Sequence, residues 1–299
     1  MTRGMLYDLR LRIGYEYEVP AGSSRHVLRV SPRDLPGRQR AILSTLTVMP
    51  DPAERSVFVD AFGNQTHDVL LLGEHRQFEI SLRSRIEVFA PEQVSAPGPQ
   101  IEVLREEMDD IRSLGPDSPH HFLGRSRLVR PGKDAGEFAF GLLQDGTGVA
   151  DAVRRIGEAL HDSMTFDAKA TNVDTPHEAA FAARRGVCQD FSHIMIAALR
   201  SVGIPAGYVS GFLRTIPPPG SARLAGADAM HAWVRAWCGN ALGWFEYDPT
   251  NALHVSNQHV VVAYGRDYSD VSPIKGILRT SGSQRGFQQV DLIETDAVT

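Results

Sequence analysis

From Tyr7 to Val19 apolar and polar residues alternate. Tyr7, Leu9, Leu11, Ile13, Tyr15, Tyr17 and Val19 fall on one side, and Asp8, Arg10, Arg12, Glu16 and Glu18 on the other. A period of two predicts a long strand with one buried and one wet face. The pattern returns at Phe78, Ile80, Leu82, Ile86 and Val88, set against Glu79, Arg83, Arg85 and Glu87. Shorter apolar runs between them (27–30, 42–48, 57–59, 69–72), with a turn at Phe62-Gly63-Asn64, complete an antiparallel β-domain over 1–92. No residue pattern in this part suggests chemistry.

Residues 91–100 (PEQVSAPGPQ) have linker composition, and Ile101, Leu104, Met108 and Ile111 mark one face of a short helix. Gly115–Pro119 and Pro131–Gly136 are further breaks, so 93–136 is expected to be a linker with one helix. Beyond Gly148 the period becomes helical. Val149, Val153, Ile156, Leu160 and Met164 share one side of a helix. Thr175-Pro176-His177-Glu178 predicts a capped helix start, with threonine as N-cap and glutamate three residues on. A second helix begins near Cys188, carries Phe191, Ile194, Met195, Leu199 and Val202 on one face, and ends at Gly203-Ile204-Pro205. Strand-like runs follow at 208–213, 231–237, 244–248, 260–264 and 286–293. Helices followed by an antiparallel sheet give an α+β domain over 137–299.

The whole chain has 299 residues, 42% of them hydrophobic and 22% charged, with a formal net charge of −5. Such a composition excludes bulk disorder and lacks the basic surplus of a nucleic-acid or anionic-membrane binder. No apolar run spans a bilayer, and the N-terminus has no apolar signal core. With only Cys188 and Cys238, a disulfide scaffold and a four-cysteine zinc site are excluded. A cytoplasmic location with reduced thiols is expected.

Cys188 is the candidate nucleophile. It falls in the first turn of the predicted helix, where unpaired amide N–H groups and the positive dipole end converge and favour a thiolate. A thiol nucleophile needs a base, and the base an orienting acceptor. His231 opens one predicted strand and Asp248 ends the next. If Cys238-Gly239-Asn240-Ala241 is a four-residue hairpin loop, Trp237 pairs with Leu242 and His231 directly faces Asp248. Paired side chains on one face lie about 5 Å apart at Cβ, within hydrogen-bonding reach. A one-residue slip would put the carboxylate on the opposite face. Cys238, in the loop, reads as structural. His193 reads as a hydrogen-bonded helix residue and Asp190 as a cap of the helix start. Trp233 and Trp244 are candidates for the walls of a substrate groove.

Other motifs fail. His177-Glu178 lacks the second histidine of a zinc-protease helix, since Phe181 occupies its place, and Gly146-Thr147-Gly148 lacks a third glycine. No phosphate loop or serine elbow occurs. Neither metal nor cofactor is expected.

The segments 186–193 (GVCQDFSH), 203–211 (GIPAGYVSG), 228–233 (DAMHAW) and 248–251 (DPTN) resemble the core of the bacterial transglutaminase-like superfamily. The tail GRDYSDVSP (265–273) and the N-terminal β-domain resemble parts of the same proteins, so the likeness covers nearly the whole chain. It implies a papain-like thiol fold, with Cys188 as nucleophile, His231 as base and Asp248 as its orienter. Members usually carry a small hydroxyl residue before the histidine, where this chain has Met230. The implied activity is acyl transfer on a protein or peptide substrate, with hydrolysis of amide bonds favoured. Glutamine–lysine cross-linking and a non-enzymatic protein-binding scaffold are the alternatives. No nucleic-acid or membrane partner is expected.

Overall fold

The computed structural model describes residues 4–90, 96–215, 226 and 228–295. The first part contains β1 (Met5–Ala21), β2 (Ser24–Leu28), β3 (Gln39–Met49), β4 (Glu54–Val59), β5 (Gln65–Leu71) and β6 (His75–Val88). The alternation is realised. Tyr7, Leu9, Leu11, Ile13 and Tyr17 of β1 are buried, as are Phe78, Ile80, Leu82, Ile86 and Val88 of β6. On the wet side Arg12 pairs with Glu79 and Arg85 with Asp8 across the ladder. Val19, beyond the buried stretch, is exposed.

The helices are α1 (Ile101–Asp110), α2 (Lys133–Phe140), α3 (Val149–Ser163), α4 (His177–Ala183) and α5 (Cys188–Ser201), with a 3-10 turn at Pro119–Phe122 and the short strands β7 (Thr165–Phe166) and β8 (Arg185–Gly186). The second sheet region follows: β9 (Ala206–Leu213), β10 (Ala229–Trp237), β11 (Trp244–Asp248), β12 (Leu253–His254) and β13 (His259–Gly265), then α6 (Tyr268–Val271), β14 (Ile274–Leu278) and β15 (Gln284–Thr295). α3 buries Val149, Val153, Ile156 and Leu160 as its periodicity requires. α5 is buried on every side from Gln189 to Arg200, not along one stripe, because α2, α3, α4 and the sheet all pack against it.

Four expectations need correction. First, α2 occupies a stretch read as a break. Its short KDAGEFAF sequence carries a glycine that lowered its helical signal, and Gly136 is where the helix meets Ser201. Second, Thr175 does not cap α4. Its hydroxyl accepts the Asn172 N–H at 3.0 Å and Pro176 is the N-cap. Third, the 286–293 run does not join the second-half sheet. β15 lies beside β1, with Leu9 opposite Leu292 and Leu11 opposite Val290, in the order β15-β1-β6-β3. β14 likewise extends β2, giving β14-β2-β5-β4. The boundary of 137–299 therefore runs through shared sheets, and the β-domain is built from both ends of the chain. Fourth, the β10–β11 register differs by two residues. Trp237 pairs with Trp244, not Leu242, because the loop has six residues closed by Cys238 N–H to Gly243 O and Gly243 N–H to Gly239 O.

The central sheet runs β12-β11-β10-β9-β13, all antiparallel. Its edge strand β13 is covered by two side-chain amides of the β-domain. Gln39 accepts from Val261 N–H and donates to Val261 O, both at 2.8 Å. Asn64 does the same at Tyr264, at 2.8 and 2.7 Å. Each amide mimics one residue of a neighbouring strand and satisfies edge groups that would otherwise lose water on burial.

Candidate active site

The approach to Cys188 is built by a parallel bridge and a turned-back carboxylate. β8 pairs with β7 and leads directly into α5. Asp190, at the third helical position, accepts the Val187 N–H at 2.8 Å and the Thr171 hydroxyl at 2.6 Å. A Cβ on Gly186 would lie 2.5 Å from that carboxylate, so a side chain there would expel it. The expected capping role of Asp190 is thus what the residue does. Cys188 itself is half-buried at the helix start, where first-turn N–H groups have no partner within the helix.

His231 and Asp248 do meet. Nε2 of His231 is 2.7 Å from Oδ2 of Asp248. The carboxylate has no exposed surface and the imidazole 11%. Asn251 Nδ2 stands 3.5 Å from the same nitrogen, and Cys188 is near enough to the ring to act on its titration. Burial alone would push the His231 imidazole down. Hydrogen bonds to Asp248 and Cys188 and their charges outweigh it and raise the ring to about 10. Burial would likewise push Asp248 up, but hydrogen bonds from His231 and His259 and the charge of His231 hold its carboxyl well below the usual carboxylate range. The arrangement suits a buried imidazolium–carboxylate pair beside a sulfur at a helix start.

Asp248 has further donors that the sequence reading did not single out. Thr250 N–H and Asn251 N–H reach Oδ1 at 2.9 and 3.2 Å, and Asn251 Nδ2 reaches Oδ2 at 2.7 Å. His259 Nε2 lies 3.4 Å from Oδ2. The Asp-x-Thr-Asn spacing, typical of side-chain–capped turns, was the available signal for the first three. His259 gave only the sign of a histidine opening an apolar strand. His231, Asp248 and His259 place ligand-type atoms within 4.8 Å of one another, the one such group found among the described residues.

The two tryptophans do not line a groove at this site. Trp233 has no exposed surface, and its indole N–H donates to Glu246 at 2.6 Å. Its ring fills the space left by Gly211, where a Cβ would lie 2.4 Å from the indole. Trp244 sits opposite Trp237, six residues down β10 from His231 and so about 20 Å away. It packs on Phe122 and the Arg235 guanidinium. Cys238 is buried and free, its thiol pushed up to about 12 by burial. His193 Nε2 accepts the Tyr268 N–H at 3.1 Å, which ties the tail motif to α5. The loop 217–226 lies outside the described residues except for Gly226.

On the neighbouring strand, opposite Arg235, Glu246 accepts from Trp233, from Tyr264 Oη at 2.9 Å, and from both ends of the Arg38 guanidinium, one at 2.7 Å. A side chain of the β-domain thereby holds the carboxylate to which Trp233 donates, and the Trp233 ring lies 6.2 Å from that of His231.

Residues 7–87 match the bacterial transglutaminase-like N-terminal region and residues 137–249 the transglutaminase-like superfamily core. An uncharacterised protein of Mycobacterium tuberculosis is 33% identical, with 92% of this chain and 88% of that protein covered. The chain belongs to the bacterial transglutaminase-like family. An uncharacterised Mycobacterium leprae protein is 30% identical over 94% of each chain. Among solved structures, one from Cytophaga hutchinsonii, provisionally described as a cysteine protease, superposes with a TM-score of 0.77 at 20% identity, covering 100% of this chain and 93% of that one. That likeness extends the shared fold to the β-domain and the core together. Among the described residues no helix is long and apolar enough to cross a membrane.

Proposed function

We propose that the protein is a thiol enzyme of the cytoplasm that hydrolyses amide bonds of a protein or peptide through a Cys188 thioester. The supporting observation is the buried His231–Asp248 hydrogen bond at 2.7 Å, with Cys188 at the start of α5 near enough to raise the same ring. His231 takes the thiol proton and the thiolate attacks the carbonyl carbon. The Cys188 N–H at the helix start stabilises the oxyanion. The tetrahedral adduct collapses, and His231 returns the proton to the departing amine or ammonia. Water, deprotonated by the same imidazole, then cleaves the thioester to a carboxylic acid and free thiol. The covered chemistry needs no metal or cofactor.

The test is turnover of peptide and glutamine-amide substrates, with Cys188→Ala as the control. Wild type is expected to release amine or ammonia and to form an acyl adduct on Cys188 detectable by mass spectrometry. Equal turnover by Cys188→Ala would remove Cys188 from the mechanism. Incorporation of a primary amine into a glutamine protein, without net hydrolysis, would replace this reading with cross-linking.

A further inference from the structure

Oδ2 of Asp248 is approached by three donors: His231 Nε2, Asn251 Nδ2 and His259 Nε2. His259 is buried and opens β13, which is separated from the Asp248 strand β11 by β10 and β9. Its other nitrogen, Nδ1, lies 3.3 Å from the backbone N–H of Ser256. A backbone N–H only donates, so Nδ1 is the acceptor and the ring proton resides on Nε2, aimed at the carboxylate. Trp233 stands edge-on to the ring at 5.2 Å and fixes its plane.

This tautomer separates two readings of the same cluster. The spacing of His231, Asp248 and His259 would admit a zinc ion. A zinc ligand needs the Nε2 lone pair, however, and moving the proton to Nδ1 would set it against the Ser256 N–H. Around Asp248 stand His231 on β10, His259 on β13 and the neighbouring Tyr247 on β11, with Glu246 two residues away already paired with Arg38, while Cys188 on α5 acts on His231.

We propose that His259 is a positioning residue of the acyl-transfer site, a neutral N–H donor that holds the orientation in which Asp248 Oδ2 meets His231. It acts through Asp248 on the pairing of His231 with Cys188. The proposal rests on the acyl-transfer reading above, and the test separates the two. The rate of iodoacetamide alkylation at Cys188 is followed by mass spectrometry from pH 4 to 9 in wild type, His231→Ala, His259→Phe and His259→Gln. Wild type is expected to react at acidic pH, and His231→Ala to lose that reactivity. His259→Phe should shift the acid edge to higher pH and slow the reaction at pH 5 about tenfold, the scale of one hydrogen bond to a charged group. His259→Gln, whose amide still donates, should recover most of it.

A His259→Phe profile superimposable on wild type, or equal losses in the Phe and Gln variants, would overturn the positioning role. A His231→Ala profile superimposable on wild type would overturn the acyl-transfer reading itself. Zinc that slows wild-type alkylation but not that of His259→Phe would make the cluster a metal site instead. Should His259→Phe not fold, nitrogen NMR of the wild-type imidazoles decides. Nε2 protonated and Nδ1 bare supports the proposal, and a protonated Nδ1 overturns it.

Discussion

Asp248 is not opposite His231 on the neighbouring strand, yet the two side chains lie 2.7 Å apart. Extending the observed pairing places His231 opposite position 250, so the contact is diagonal. A displacement of two residues keeps a side chain on its own face, whereas a displacement of one would have turned the carboxylate away. Diagonal neighbours remain within reach of long side chains, and the Asp248–Asn251 turn bends the carboxylate toward the ring.

Asp248→Asn should leave the fold intact and remove function. The amide cannot hold the imidazolium, and it favours the wrong tautomer of His231. Turnover should fall by about 10³–10⁴-fold, with little change in KM. Steady-state kinetics of the purified variant check this, and a loss under tenfold would remove Asp248 from the mechanism.

Acid should weaken the β-domain before pH 4 is reached. His26 and His67 are both lowered to about 4, chiefly by burial, with His75 and Arg55 respectively adding to it. Each offers one nitrogen to a serine, and the other, Nδ1, has no hydrogen-bond partner among the described residues. The unfolded chain takes up these protons near pH 6.5, the folded chain only near 4. Stability from both is therefore full above pH 6.5 and declines as pH falls toward 4. Each histidine should lower Tm by about 2–4 °C per pH unit across that window. Calorimetry of His26→Phe, which keeps the stacking on Phe78, should show a shallower fall than wild type.

Arg38→Met should destabilise the whole chain, because Glu246 would be left as a buried carboxylate without its cation. Such losses run to about 3–5 kcal/mol. The double variant Arg38→Met, Glu246→Gln should recover part of it, since Tyr264 and Trp233 can still donate to an amide oxygen. Urea unfolding measures both. If the single variant costs under 1 kcal/mol, the support from the β-domain is not what holds Glu246.

Gly211→Ala adds a methyl where the Trp233 ring and Val260 O already stand, at 2.4 and 2.1 Å from the Cβ position. Overpacking of this kind costs about 1–3 kcal/mol. Because Gly211 pairs with His231, turnover should drop more than stability would explain. Kinetics well below the unfolding midpoint would show it, and unchanged turnover would separate the strand backbone from the site.

Much of this architecture was legible because it is periodic. The alternations of β1 and β6 and the 3.6-residue repeat of α3 each state which face is buried, and burial is what they record. The start of α5 was legible from Gly186 and Cys188 followed by apolar residues. The parity of the β10–β11 ladder was recoverable although its loop length was not. Gly239 and Gly243, both at positive φ, are what allow the longer loop to close. Partnership between distant strands was not legible. Nothing in the 286–293 residues says that they lie beside Tyr15 to Asp8 and not beside a nearer strand. The roles of Trp233 and His259 were hidden for the same reason, since they depend on Glu246 and Asp248 arriving from another strand. Side-chain type told what each residue could do, and only the fold told what it was next to.

The weaving of β14 and β15 into the first sheets has a consequence for how the molecule comes into being. The segment bearing Cys188, His231 and Asp248 lies between strands of a β-structure that closes only when β15 joins β1. During synthesis β1 must wait, with its Leu9–Leu11 flank unpaired, until the residues of β15 have emerged. Completion of the scaffold beside the reactive centre is thus a late event, and loss of either β1 or β15 breaks the same sheet.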